Sequence, residues 1–132
     1  MTKTKKIMIV DDTEALLTLY KTILEHNFSK QFDIVTSINA EHALKYIKTI
    51  KDSSEILCVI TDYEMIEMNG QDFSQQLRSM WTEIPIFLHT NTCIEAIPEI
   101  QDDTEHLNIT VLNKKSSMND AIIPWIKEQI KS

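Results

Sequence analysis

Two apolar runs in this chain stop abruptly at carboxylates. Lys6-Ile7-Met8-Ile9-Val10 ends at Asp11 and Asp12, and Ile56-Leu57-Cys58-Val59-Ile60-Thr61 ends at Asp62. Runs of this kind, rich in β-branched residues, suit strands buried on both faces, which deliver the residues that follow them to the rim of a sheet. Two further runs end in complementary groups: Ile84–Thr90 in a hydroxyl, and Ile109–Asn113 beside the ammonium groups of Lys114 and Lys115. In a parallel sheet, Asp11, Asp12, Asp62, Thr90 and Lys114 all face one rim. Three carboxylates a few ångströms apart repel, so they take up protons or hold a cation. Hard oxygen ligands open to water favour Mg²⁺. An acid cluster with one hydroxyl and one ammonium suits a phosphoryl group carried on that metal. The cation and Lys114 neutralise its oxygens, and Thr90 donates a hydrogen bond to one of them. The carboxylate lying in line is then the nucleophile and forms an aspartyl phosphate. The residues alone leave open which carboxylate that is; Asp62 is favoured because it stands alone, whereas Asp11 and Asp12 read as a paired metal cradle.

Positioning these groups requires a regular alternation of elements. After the first strand, Leu16, Leu19, Tyr20, Ile23 and Leu24 recur at helical spacing within Thr13–Phe28, with Asp12 or Thr13 as N-cap. Phe32–Thr36 is a short strand, and Asn39 caps a helix whose stripe is Ala40, Ala43, Leu44, Ile47 and Ile50. The strand ending at Asp62 runs into a loop that closes at Gly70, the single glycine, expected where φ must be positive. A helix over Gln71–Met80, the strand Ile84–Thr90, a weak helix over Thr92–Asp103 interrupted by Pro98, the strand Ile109–Asn113 and a last helix to about Lys131 complete the chain. Pro124 either kinks that last helix or marks its start. Five strand-helix alternations predict one α/β domain spanning residues 1–132, with a doubly wound parallel sheet and right-handed crossovers.

Composition excludes several alternatives. The 132 residues carry a formal net charge of −7, with 42% hydrophobic and 25% charged residues, which fits one globular domain and not a nucleic-acid or anionic-membrane surface. No apolar run approaches the roughly 20 residues of a membrane span, and the amino terminus does not read as a signal peptide. A cytoplasmic location is the expectation. Cys58 lies within an apolar run and is expected to be a buried small hydrophobe, while the four histidines lack zinc-ligand spacing. His89 is expected to be a satisfied or solvent-facing histidine and not a catalytic one, and Trp125 a core residue.

Jointly, Ile9-Val10-Asp11-Asp12, Asp62-Tyr63-Glu64-Met65 with Asn69-Gly70, Pro85 followed by Thr90, and Lys114 resemble the receiver domain of two-component response regulators, over the whole chain and in order. The resemblance implies a flavodoxin-like fold with strand order 2-1-3-4-5. It implies phosphotransfer to Asp62 from a phosphohistidine on a sensor histidine kinase or a histidine phosphotransfer protein, without further enzyme activity. It also implies Mg²⁺ held by Asp12, Asp62 and the Glu64 carbonyl with help from Asp11, and Thr90 and Lys114 as switch hydroxyl and phosphate-binding lysine. Glu64 and Thr92 fall where such proteins tune acyl-phosphate hydrolysis. A stand-alone receiver that alters contacts with a downstream protein target is the expectation.

The chain departs from the family pattern at Ile66 and Lys115, where proline is usual, and at Val111, where a switch aromatic is usual. A non-proline cis bond costs roughly 2.5–4 kcal/mol, which favours a trans Lys114–Lys115 peptide and makes Lys115 the alternative phosphate ligand. These departures support one rival, a pseudo-receiver acting as a phosphorylation-independent interaction module. An aspartyl-phosphate phosphohydrolase is disfavoured because Asp11 and Asp12 are adjacent and no segment is left for a cap. A flavodoxin is disfavoured because no Ser/Thr/Gly-rich loop follows the first strand.

Overall fold

The computed structural model describes residues 5–28, 31–81, 83–90, 109–113 and 121–131. Its elements are β1 (Lys5–Val10), α1 (Glu14–Phe28), β2 (Phe32–Ser37), α2 (Ala40–Lys48), β3 (Ile56–Asp62), α3 (Gly70–Met80), β4 (Ile86–Thr90), β5 (Ile109–Asn113) and α4 (Ile123–Lys131). All strand pairs are parallel, as the alternation predicts, and the sheet order is β2-β1-β3-β4-β5, the flavodoxin-like arrangement that the receiver-domain resemblance implies. The helix expected over Thr92–Asp103, with Pro98, lies outside the described residues.

The near-continuous apolar runs are explained by burial on both sides. Ile7, Met8, Ile9, Cys58, Val59 and Ile60 are each at most 2% exposed. Alternate residues go to opposite layers. Ile7, Ile9, Cys58, Ile60 and Phe87 pack with Leu17, Tyr20 and Leu24 of α1 and Ile126 of α4. Met8, Val10, Val59, Ile86 and Leu88 pack with Ala43, Leu44 and Ile47 of α2 and Phe73 and Leu77 of α3. Each large aliphatic side chain buried this way contributes about 1.5–3 kcal/mol, which is why the central strands tolerate no polar residue before their ends.

Local signals set the helix starts. Asn39 accepts the His42 backbone N–H at 2.8 Å, and Asn69 accepts that of Asp72 at 2.8 Å, so both asparagines act as N-caps. Pro124 falls in the first turn of α4, where its missing N–H removes no helical bond. Leu19, assigned to the apolar stripe of the first helix, is exposed instead, at 49%.

Gly70 does not have positive φ, contrary to expectation; Glu67, at φ 72°, makes the left-handed turn of this loop. Gly70 opens α3, and a Cβ there would lie 2.2 Å from the Asp62 carbonyl oxygen and 2.9 Å from Tyr63 Cα. The position demands glycine because α3 begins hard against the end of β3. Arg78 is buried although it lies on an amphipathic helix, and its Nη1 donates to the carbonyls of Trp81 at 3.1 Å and Ile84 at 2.7 Å. Those bonds stitch the α3–β4 connection and help fix the level of β4.

Candidate functional site

Register brings the polar strand ends together. Val10 pairs with Thr61 and Asp62 with His89, so Asp11 stands level with Asp62, and Thr90 lies one residue further along the neighbouring strand. Asp11 and Asp62 are buried and Asp12 is half-buried, and each offers a carboxylate oxygen within 4.8 Å of the others. Two unit charges at that separation repel by about 3.5 kcal/mol at an effective dielectric of 20. Such an arrangement persists only if the fold imposes it and a counter-charge relieves it.

Backbone contacts impose it. The Asp11 N–H donates to the Ser37 carbonyl at 3.1 Å. Asp11 Oδ1 accepts the Thr13 N–H at 2.9 Å, so this carboxylate also helps to start α1. Asp12 Oδ2 accepts the Ile66 N–H at 3.2 Å, tying the loop after β3 to the end of β1. Tyr63 N–H donates to the His89 carbonyl at 3.0 Å, and Tyr63 O accepts from Gly70 at 2.9 Å. Thr90, fully buried, donates its hydroxyl to Glu64 Oε1 at 2.7 Å.

A buried pair that sequence reasoning missed lies on the α1 side of the sheet. Tyr20 OH and His89 Nδ1 share a hydrogen bond at 3.1 Å, and His89 packs edge-on against Phe87, which meets half-buried Trp125 in the same way. Burial, then the charges of Asp11 and Asp62, push the Tyr20 phenol up to about 12, so it stays protonated at neutral pH. His89 is buried and bonded through Nδ1, and Cys58 is fully buried, where desolvation pushes its thiol up and leaves it unreactive.

Of the expected site residues, the structure thus gathers Asp11, Asp12, Asp62, Glu64 and Thr90; Lys114, its alternative Lys115, and Thr92 lie outside the described residues. The clustered donors are all hard anionic oxygens, with one carboxylate reachable from solvent, which is the chemistry that suits a small divalent cation and not a thiolate- or imidazole-preferring metal.

Residues 7–120 match the family described as the response regulator receiver domain. Over 87 residues the chain is 31% identical to the alkaline phosphatase synthesis transcriptional regulatory protein PhoP of Bacillus subtilis, across 65% of this chain and 33% of that protein. It is 29% identical over 87 residues to chemotaxis protein CheY1 of Helicobacter pylori, across 64% of this chain and 66% of that protein. The chain therefore spans about a third of the first relative and just under two thirds of the second. Among solved structures, a response regulator receiver domain protein from Clostridium thermocellum superposes with a TM-score of 0.78 at 21% identity, covering 96% of this chain and 94% of that one. Chemotaxis protein CheY4 of Vibrio cholerae gives a TM-score of 0.73 at 19% identity, covering 94% and 98%. At these identities the likeness shows the fold.

Proposed function

This chain belongs to the response regulator receiver domain family, and from that premise we propose that it accepts a phosphoryl group on Asp62 and passes the change on through protein contacts. The observation that carries this reading is the convergence of Asp11, Asp12 and Asp62 within 4.8 Å at one rim of the sheet. Asp11, Asp12 and Asp62, with the Glu64 carbonyl, would hold Mg²⁺, which when bound neutralises charge on the oxygens of the transferring group. An Asp62 carboxylate oxygen attacks phosphorus as the phosphorus–nitrogen bond of a donor phosphohistidine breaks. The bonding pair stays on the imidazole nitrogen, which takes up a proton from water. Thr90 donates its hydroxyl to a phosphoryl oxygen, and Lys114 supplies the second positive charge. Hydrolysis returns inorganic phosphate and the Asp62 carboxylate, so the chain catalyses its own loading and unloading and is not otherwise an enzyme.

A sensor histidine kinase or a phosphotransfer protein would be the donor and a downstream protein the reader, in the cytoplasm. Among the described residues no helix is long and apolar enough to cross a membrane. Val111, at the usual place of a switch aromatic, is half-buried against the α2–α3 layer, so output through a swinging ring at that position is not part of the proposal. Incubation with Mg²⁺ and acetyl phosphate tests the reading: intact mass should rise by one phosphoryl group, and the gain should vanish in Asp62→Asn. Absence of uptake from any donor would instead support the phosphorylation-independent interaction module.

A further inference from the structure

A threonine hydroxyl carries one proton and donates one hydrogen bond at a time. In this structure Thr90 Oγ1 spends that donor on Glu64 Oε1 at 2.7 Å. A phosphoryl oxygen on Asp62 and the Glu64 carboxylate are therefore competing acceptors for a single proton. We infer that Glu64 is a latch, a positioning residue that holds the Thr90 hydroxyl in the resting state and must release it before the hydroxyl can recognise a phosphoryl group. This rests on the reading of Asp62 as phosphoacceptor.

The surrounding backbone dictates how the latch opens. Tyr63 N–H is bonded to the His89 carbonyl at 3.0 Å, and its own carbonyl accepts from Met65 at 3.1 Å and Gly70 at 2.9 Å. Ile66 N–H is held by Asp12 Oδ2 at 3.2 Å. The chain is thus pinned on both sides of Glu64, so the loop stays while the side chain leaves. Glu64 is already half-buried at the rim, and a carboxylate losing a buried donor gains most by turning to water. Seating Thr90 on the phosphoryl group consequently turns the Glu64 carboxylate outward, and the state of a buried hydroxyl becomes legible at the surface.

A double-mutant cycle with beryllofluoride as the phosphoryl analogue, in Mg²⁺ and read by titration calorimetry, separates this latch from simple repulsion between two negative groups. Glu64→Ala should tighten binding about tenfold, since a hydrogen bond to a charged partner no longer has to be broken. In the Thr90→Ala background the same substitution should leave affinity unchanged, because no hydroxyl remains to be released. Thr90→Ser, which keeps the hydroxyl and guards against a folding defect in Thr90→Ala, should restore the Glu64 effect. Equal tightening in the Thr90→Ala background and in the chain that keeps Thr90 would assign the effect to charge repulsion and overturn the latch alone, as would no tightening at all. Failure of the unsubstituted protein to bind the analogue would overturn the phosphoacceptor reading and the latch with it.

Discussion

Replacing Gly70 with alanine adds one methyl group at the point where α3 starts against the end of β3. Built on the existing backbone, that carbon lies 2.2 Å from the Asp62 carbonyl oxygen, 2.5 Å from Leu88 Cδ1 and 2.9 Å from Tyr63 Cα. Leu88 can turn its side chain away, but the other two atoms are backbone, so helix and strand must separate. Overpacking costs about 1–3 kcal/mol where the surroundings yield, and the intrinsic helix preference for alanine returns at most about 1 kcal/mol. The upper part of that range applies here, for a net destabilisation of about 2–3 kcal/mol. For a chain of this size that is a fall in melting temperature of roughly 10 °C. Urea and thermal unfolding of Gly70→Ala and Gly70→Asn measure it together. Asparagine tolerates positive φ better than alanine does, so a conformational requirement would spare Gly70→Asn. Close approach predicts that asparagine is at least as damaging as alanine. A neutral Gly70→Ala, or an asparagine variant clearly more stable than the alanine one, would refute the steric account.

Tyr20, with its phenol pushed up to about 12, gives a pH signature. The folded chain holds this proton more tightly than the unfolded one, so the associated stability is intact below pH 10 and is lost as pH rises through about 12. Ultraviolet titration should show a late tyrosinate step that is absent in Tyr20→Phe; a Tyr20→Phe chain with the same late step would contradict it. The same substitution strips His89 Nδ1 of its phenol partner and should cost about 1–3 kcal/mol in chemical denaturation. Arg78→Ala removes the shared donor of the Trp81 and Ile84 carbonyls and should destabilise by about 2–3 kcal/mol, far more than an exposed helix arginine; a loss within experimental error would contradict the stitching role. Asp12→Asn relieves repulsion in the acid cluster and should raise stability in chelator by about 1 kcal/mol. The rise in melting temperature on adding Mg²⁺ should disappear in this variant, and an undiminished rise would remove Asp12 from the cation site.

Much of the architecture is legible because the strands are buried on both faces: a short β-branched run such as Ile56–Ile60, bounded by polar residues, suits a fully buried strand, and parallel strands hand Asp11, Asp62 and Thr90 to the same rim. Asn39 announces its helix because a cap is a local interaction, and Asn69 caps α3 in the same way although sequence reasoning missed that role. What stays hidden depends on distant packing. Tyr20 and His89 stand 69 positions apart, and nothing in either neighbourhood says that a phenol will meet an imidazole across α1 and β4. Arg78 reads as a solvated helix charge until Trp81 and Ile84 fold their carbonyls over it. Gly70 reads as special for a conformational reason when the operative one is steric, because positive φ is a property of one residue and close approach a property of two elements. Leu19 is drawn into an apolar stripe by spacing alone, although the buried face of α1 is the one carrying Leu17, Tyr20, Leu24 and Phe28, and Leu19 points away from it.

Whether Asp11, Asp12 and Asp62 form one cation-dependent phosphoacceptor site is tested most directly by locating the phosphoryl group. Peptide mass mapping after exposure to acetyl phosphate, with Mg²⁺ and with chelator in parallel, does so. Modification should be confined to the peptide bearing Asp62 and should depend on the divalent ion. Modification elsewhere in the chain, or undiminished modification of Asp62 in chelator, would contradict the assignment.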